Sequence, residues 1–432
     1  MLFKNIGIVD ENFDYVKSMF VETKDDRIVY VSSVRPENYE GEEYDGTGKV
    51  LMPGFVNAHS HSPMTLLRGY AENLPLQRWL NEKVFPFEDR IKGEDAYYSS
   101  MLAIAEMLRY GTVSFSDMYF FSENVAKAVT DSGIKCNFSR AITSFEDTDI
   151  ENLQSFRESE DIVKRFHNAA DGRLKIDMSL HAEYTNRRTI IEQFAEKVRE
   201  RGLRAHIHLS ETKKEHEECK AKYSLTPTQL FCECGVFDVP TTAAHCVWVE
   251  DGDIELLREK GVTAATCPAS NLKLGSGICD VYKLLKSGVN VAIGTDSVAS
   301  NNNLNMIKEM FLCALLPKGL HNDASVVSER DILKMATVNG YKAQGREDSG
   351  AIKAGCKADL CVLNIESEHM YPQTDMINNL VYAADGADVV LTMADGRVLY
   401  KDGEFTTIDI EKVKSTVNAA ASRIISEVKK NG

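Results

Sequence analysis

Between residue 51 and about residue 300 the chain alternates two hydrophobic rhythms. Short apolar runs rich in Val, Ile, Thr and Ala occur at LMPGFVNAHSH (51–61), GTVSFSDM (111–118), KCNFSRAIT (135–143), LKIDMSLHAEY (174–184), RAHIHLSET (204–212), TTAAHCVWV (241–249), VTAATCPAS (262–270) and VNVAIGTDS (289–297). Runs of this length and composition read as buried strands. Between them lie stretches with helical spacing, such as EDAYYSSMLAIAEMLRYG, RTIIEQFAEKVRERG and DIELLREKG, several closed by a glycine of the kind that ends a helix. Eight strand–helix repeats over roughly 250 residues predict an α/β fold, a (β/α)8 TIM barrel.

The flanks carry a different pattern. RIVYVSS, KADLCVLNI and ADVVLTMADGRVLYKDGEF are short strand-like pieces with DG turn signals, and they predict a small β-sandwich built by both chain ends. The expected division is residues 1–52 for its first part, 53–345 for the barrel, 346–410 for its second part and 411–432 for a C-terminal helix. The amphipathic tail IEKVKSTVNAAASRIISEVKK is expected to dock on the body of the protein.

A barrel of this kind does its chemistry at the C-terminal ends of its strands. Here His59 and His61 end the first run, Asp117 the second, His181 the fourth, His208 and Glu211 the fifth, His245 the sixth and Asp296 the eighth, with Arg140 late in the third. Side chains two apart on a strand project to the same side, so His59 and His61 converge. With His208 and Asp296 they offer three imidazoles and a carboxylate to a divalent ion, leaving room for a water made acidic by the metal. The end of the fourth run, SLHAEY, offers His181 and no lysine to bridge a second ion, so one ion per subunit is expected; zinc, iron and manganese all suit such donors. Glu211, three residues after His208, stands where a carboxylate can carry a proton, although an acid there also suits the start of a helix. Asp296 can serve as a second base, and His245 either holds the attacking oxygen or is a buried structural histidine. His167, His216, His321 and His369 fall in helical or connecting segments and receive no role.

Charge narrows the partners. A formal charge of −15 with a pI near 5.3, and no long basic cluster, argues against nucleic acid. No window approaches the roughly 18 uninterrupted apolar residues of a membrane span, and the first residues lack a signal-peptide core, so a cytoplasmic protein without a membrane partner is expected. The ten cysteines are irregularly spaced without CxxC pairs and read as reduced thiols, Cys232 and Cys234 fitting a helix end.

The pieces PGFVNAHSH, HLSE, AAHC and GTDS, in that order, resemble the amidohydrolase superfamily across essentially the whole chain. VFPFEDRI, HAEYT, CPASNLKLGSG and GTDSVASNNNLNM narrow the likeness to its deaminases of 5′-methylthioadenosine and S-adenosylhomocysteine. That resemblance implies a metal-dependent aminohydrolase, usually with zinc, that converts adenosine-type nucleosides (5′-deoxyadenosine and adenosine among them) to the inosine analogue and ammonia, and that self-associates. It assigns the ribose hydroxyls to Glu88, the purine to His181 and Ser300, and the cover of the nucleoside to Trp79, with Glu211 and Asp296 also touching substrate. Read alone, Glu88 is a solvated charge and Trp79 a core residue. Arg140 matches an arginine of the members that accept S-adenosylhomocysteine, but the second arginine they carry a dozen residues later is missing. The segment here is the acidic TSFEDTDIENLQSFRESED, with Arg157 the nearest cation, which predicts a preference for neutral 5′-groups. Competing readings are another amidohydrolase acting on guanine, cytosine, a pterin or a triazine, and a non-catalytic metal-containing scaffold, which would need neither Glu211 nor Asp296.

Overall fold

The computed structural model describes residues 1–74 and 76–431. Each apolar run contains a strand: β1 Phe55–Ser60, β2 Thr112–Met118, β3 Lys135–Ser139, β4 in two pieces (Leu174–Ile176 and Met178–Leu180), β5 Ala205–Leu209, β6 Thr241–His245, β7 Thr263–Thr266 and β8 Asn290–Ile293. Neighbours pair in parallel from β1 through to β8. The break in β4 falls at Asp177, so that its first piece pairs with β3 and its second with β5. The ring closes where the Asp296 N–H, just past β8, donates to the His59 carbonyl of β1 at 2.9 Å. Nearly every strand residue is buried, because helices cover the outside and side chains fill the inside. Helices Gly93–Arg109, Arg188–Arg201 and Asp251–Glu259 stand on the predicted periodic stretches, and Gly202, at φ +61°, supplies the left-handed residue that stops the second.

The two ends of the chain meet in one sheet of nine strands among the described residues. Lys49–Pro53 belongs to this sheet, so the first three residues of the opening run, Leu51–Pro53, precede the barrel strand: the segment lies between Leu2–Val9, which runs parallel to it, and Leu360–Asn364, which runs antiparallel. The sheet curls until its far portions touch, the Ala358 N–H donating to the Asp26 carbonyl at 2.8 Å, and both halves share a core that includes Phe3, Ile28, Leu51, Leu360 and Met393. Gly54 makes the hand-over to β1. A Cβ there would meet Val113 Cγ1 at 2.4 Å, so no larger residue lets the chain pass so close to β2.

The tail forms the helix Ile410–Asn431, which buries Val413, Val417, Ala420 and Ile424 and pairs Arg423 with Asp95 of the helix Gly93–Arg109. Cys234 caps the helix Pro227–Glu233, and all ten cysteines are free. No helix among the described residues is long and apolar enough to cross a membrane.

Barrel and sheet are joined by a buried cation. Lys135, the first residue of β3, reaches Asp359 at 2.5 Å and Asp395 at 2.7 Å, and Asp359 is fully buried. Lys135→Met leaves buried Asp359 without its cation and Asp395 with only Lys357, 3.5 Å away, a loss of about 3–5 kcal/mol. A clear fall in the thermal unfolding midpoint is expected, and a midpoint equal to wild type would show that the link is not under load.

Candidate functional site

At the C-terminal mouth of the barrel, alternation along β1 brings His59 and the following His61 to one side. Opposite stands His208 of β5, its ring centroid 4.8 Å from that of His59 and 5.5 Å from that of His61. Asp296 completes the group: its Oδ1 lies 3.3 Å from His61 Nε2 and 3.6 Å from His59 Nε2. Gly294 leaves room for this approach, since a Cβ there would stand 2.9 Å from the His59 backbone nitrogen. His245 and Asp296 both hold left-handed backbone angles, φ +74° and +59°, a strained choice for residues with side chains and one that clusters at working sites.

The donor set fits a metal ion, and the hydrogen bonds say which atoms would hold it. Each imidazole commits Nδ1 to the protein: His59 to His206 Nε2 at 3.0 Å, His61 to the Met118 carbonyl at 2.5 Å and His208 to the His181 carbonyl at 2.8 Å. That leaves the three Nε2 atoms for a ligand, the pattern by which protein partners fix the tautomer and aim of metal-binding histidines. His59 Nε2 is fully buried without a hydrogen-bond partner. A buried polar atom in that state is costly, and a cation beside Asp296 satisfies it. The ligand atoms of His59, His61 and Asp296 lie within 4.8 Å of one another, as do those of His59, His208 and His245.

Beside the cluster a cavity of about 340 Å3 is lined by His61, His208, His245, Asp296 and Glu211, among others. His245 Nδ1 engages the Asn271 side-chain oxygen at 2.8 Å, which turns Nε2 toward Glu211, whose Oε2 is 3.8 Å away. Burial pushes the Glu211 carboxyl above the usual range, with the His245 ring opposing, so its protonated form is accessible closer to neutrality. The turn that carries Glu211 is pinned by Glu215, whose carboxylate accepts the N–H groups of Glu211 and Thr212 at 2.9 and 3.2 Å.

The remaining candidates line the same cavity: Trp79, Glu88, Arg140, His181 and Ser300. Glu88 accepts from the Tyr119 hydroxyl at 2.5 Å, and burial raises its carboxyl to about 7 in spite of that bond. It is therefore not the solvated charge its sequence suggests. Trp79 is anchored by its indole N–H on the Ala71 carbonyl at 3.0 Å. Burial, with His61 and His245 nearby, lowers His181 to about 4, so its ring is neutral at pH 7. The Ser300 hydroxyl is committed to Asp296 Oδ2 at 2.9 Å, alongside that of Ser270. Asp117 does not line the cavity; it holds the loop after β1 by accepting from the Ser62 N–H and hydroxyl. Arg157 donates to the Asn152 carbonyl on the surface and does not reach the cavity either.

Several contributors were not singled out from the sequence. His206 sits two residues before His208, and the alternation that paired His59 with His61 would have found it. Ser270 and Asn271 lie on the short helix Pro268–Lys273 after β7, the one strand end with no candidate; they fall within the CPASNLKLGSG stretch that carried the family likeness but received no role from it.

Residues 50–399 match the amidohydrolase family model. A 5-methylthioadenosine/S-adenosylhomocysteine deaminase of Dictyoglomus thermophilum is 45% identical over 383 residues, 89% of each chain. A 5′-deoxyadenosine deaminase of Methanothermobacter thermautotrophicus is 40% identical over 401 residues, 93% of each chain. The crystal structure of an adenosine deaminase from Xanthomonas campestris with bound zinc superposes with a TM-score of 0.92 at 29% identity, covering 98% of both chains. On matched length, identity and superposition together, the chain belongs to the amidohydrolase family.

Proposed function

We propose that the protein is a metal-dependent aminohydrolase that replaces the purine 6-amino group of adenosine-type nucleosides with oxygen, releasing ammonia and the inosine analogue. The observation that carries this reading is the convergence in one cavity of an imidazole–carboxylate cluster, a raised acid and a second carboxylate, Glu88, suited to vicinal hydroxyls. The names of the relatives support the same substrate class.

In this reading His59, His61, His208 and Asp296 hold one divalent ion, zinc by preference. When bound, that ion supplies a Lewis acid that makes water acidic enough to attack near neutral pH. The protein's own groups then move two protons. One passes from the water by way of Glu211 to the ring nitrogen next to the reacting carbon, which makes that carbon electrophilic. The other passes by way of Asp296 to the amine, which leaves as ammonia. His245, held by Asn271, points its Nε2 at the incoming oxygen and opposes its drift. Neutral His181 hydrogen-bonds the purine, Glu88 accepts from the ribose hydroxyls, and Trp79 shields the nucleoside from water. Ser300 contributes chiefly by orienting Asp296. A cytoplasmic location and assembly into a homo-oligomer belong to the same reading.

Purified protein is expected to release ammonia from 5′-methylthioadenosine, to lose that activity on chelation and to regain it with zinc. Turnover of a free base, pterin or triazine but of no nucleoside would overturn the assignment. Glu211→Gln should lower kcat about 10²–10⁴-fold. Glu88→Gln should raise KM for nucleosides about tenfold or more, as the loss of a charged hydrogen-bond acceptor does. His206→Leu, which removes the partner of His59 Nδ1, should weaken metal affinity about 10–100-fold in competition with a chelator.

A further inference from the structure

The catalytic cavity adjoins a second cleft of about 420 Å3 and shares Phe120 and Arg140 with it. Among the described residues Arg140 is the one lysine or arginine that lines the cavity. It stands at the boundary, where a substituent too long for the cavity would continue into the cleft. Two of its nitrogens are already engaged. Nε donates to Glu158 Oε2 at 2.7 Å, and Nη1 donates to the Ala141 carbonyl at 2.6 Å.

The pair is held from behind. Glu158 rides on the helix Gln154–Phe166, its second oxygen accepts from Gln154 Nε2 at 2.8 Å, and Ser159 Oγ of the same helix donates to the Arg140 carbonyl at 3.0 Å. The cleft walls add Glu123 and Asp161, both of them paired with Arg165. Even with Arg165 counted beside Arg140, two guanidiniums face the three carboxylates of Glu123, Glu158 and Asp161. An arriving carboxylate must either displace Glu158 from a short charged hydrogen bond or share the guanidinium with it, and in both cases it is repelled by Glu158 and its neighbours, so its gain from Arg140 is offset. A neutral group meets no such opposition.

We propose that Glu158 is a specificity-determining residue: by occupying Arg140 it turns away nucleosides whose 5′-substituent ends in a carboxylate and admits those with neutral 5′-groups. This rests on the nucleoside-deaminase reading above. Sequence alone pointed to the absence of a second arginine; the structure adds that the arginine present already shares its charge with Glu158.

The test compares kcat/KM for S-adenosylhomocysteine and 5′-methylthioadenosine in the metal-loaded wild type, Glu158→Gln, Glu158→Ala and Glu158→Asp. The expected wild-type ratio favours methylthioadenosine by tenfold or more. Glu158→Gln and Glu158→Ala should shift the ratio toward S-adenosylhomocysteine at least fivefold, through a lower KM for that substrate, while Glu158→Asp, which keeps the charge, should stay near wild type. A smaller shift in both neutral variants overturns the proposal, as does a wild type that prefers S-adenosylhomocysteine. Turnover of neither nucleoside by wild type would bring down the deaminase reading itself, a result distinct from normal methylthioadenosine turnover with an unmoved ratio.

Discussion

The active end of this molecule is governed by a shortage of partners. Three buried imidazoles each give one nitrogen to the protein and keep the other, and the kept nitrogens converge beside a buried carboxylate. Nothing in the polypeptide satisfies His59 Nε2. An arrangement of that kind is poor packing unless a cation completes it, so the fold is built around something it does not itself contain. The strained backbone at His245 and Asp296 belongs to the same constraint: both residues are bent out of ordinary strand geometry to face a shared point.

Around that point the division of labour follows the barrel. In the proposed reading, β1, β5 and the residues after β8 bring the ligand atoms and the ends of β5 and β6 bring the acid and the orienting histidine, while the segments beyond β1 and β2 line the cavity with Trp79, Glu88 and Tyr119. Strands therefore place the groups of the cluster, and the connecting segments shape what lies against them. Those connecting segments also carry the Arg140–Glu158 pair.

Much of this was readable from residue order because period and position report directly on burial. Eight apolar runs, seven of them carrying a residue with chemistry at or near the end, predicted the eight strands and their active ends, and His59, His61, His208 and Asp296 do meet. What stayed hidden depended on contacts between distant segments. Glu158 looked like one more acid in an acidic stretch, because nothing local shows that its helix turns it toward Arg140. The opening run, from residue 51, straddles the two sheets, and its apolar residues cannot say where one ends and the other begins. Asn271 and Ser270 carry no titratable signal, and their importance lies wholly in whom they face.

The continuity of Lys49–Pro53 with β1 through Gly54 also bears on how the chain is made. The strand leading into the two histidines has its antiparallel neighbour at Leu360–Asn364, so a ribosome that has released only the first 350 residues has produced the barrel sequence with that edge still bare. Synthesis must pass Leu360–Asn364 before the base of the first histidine strand gains its second flank. The barrel thus waits on a segment made well after its own last strand, and it cannot be trimmed to a free-standing unit without baring the same edge again.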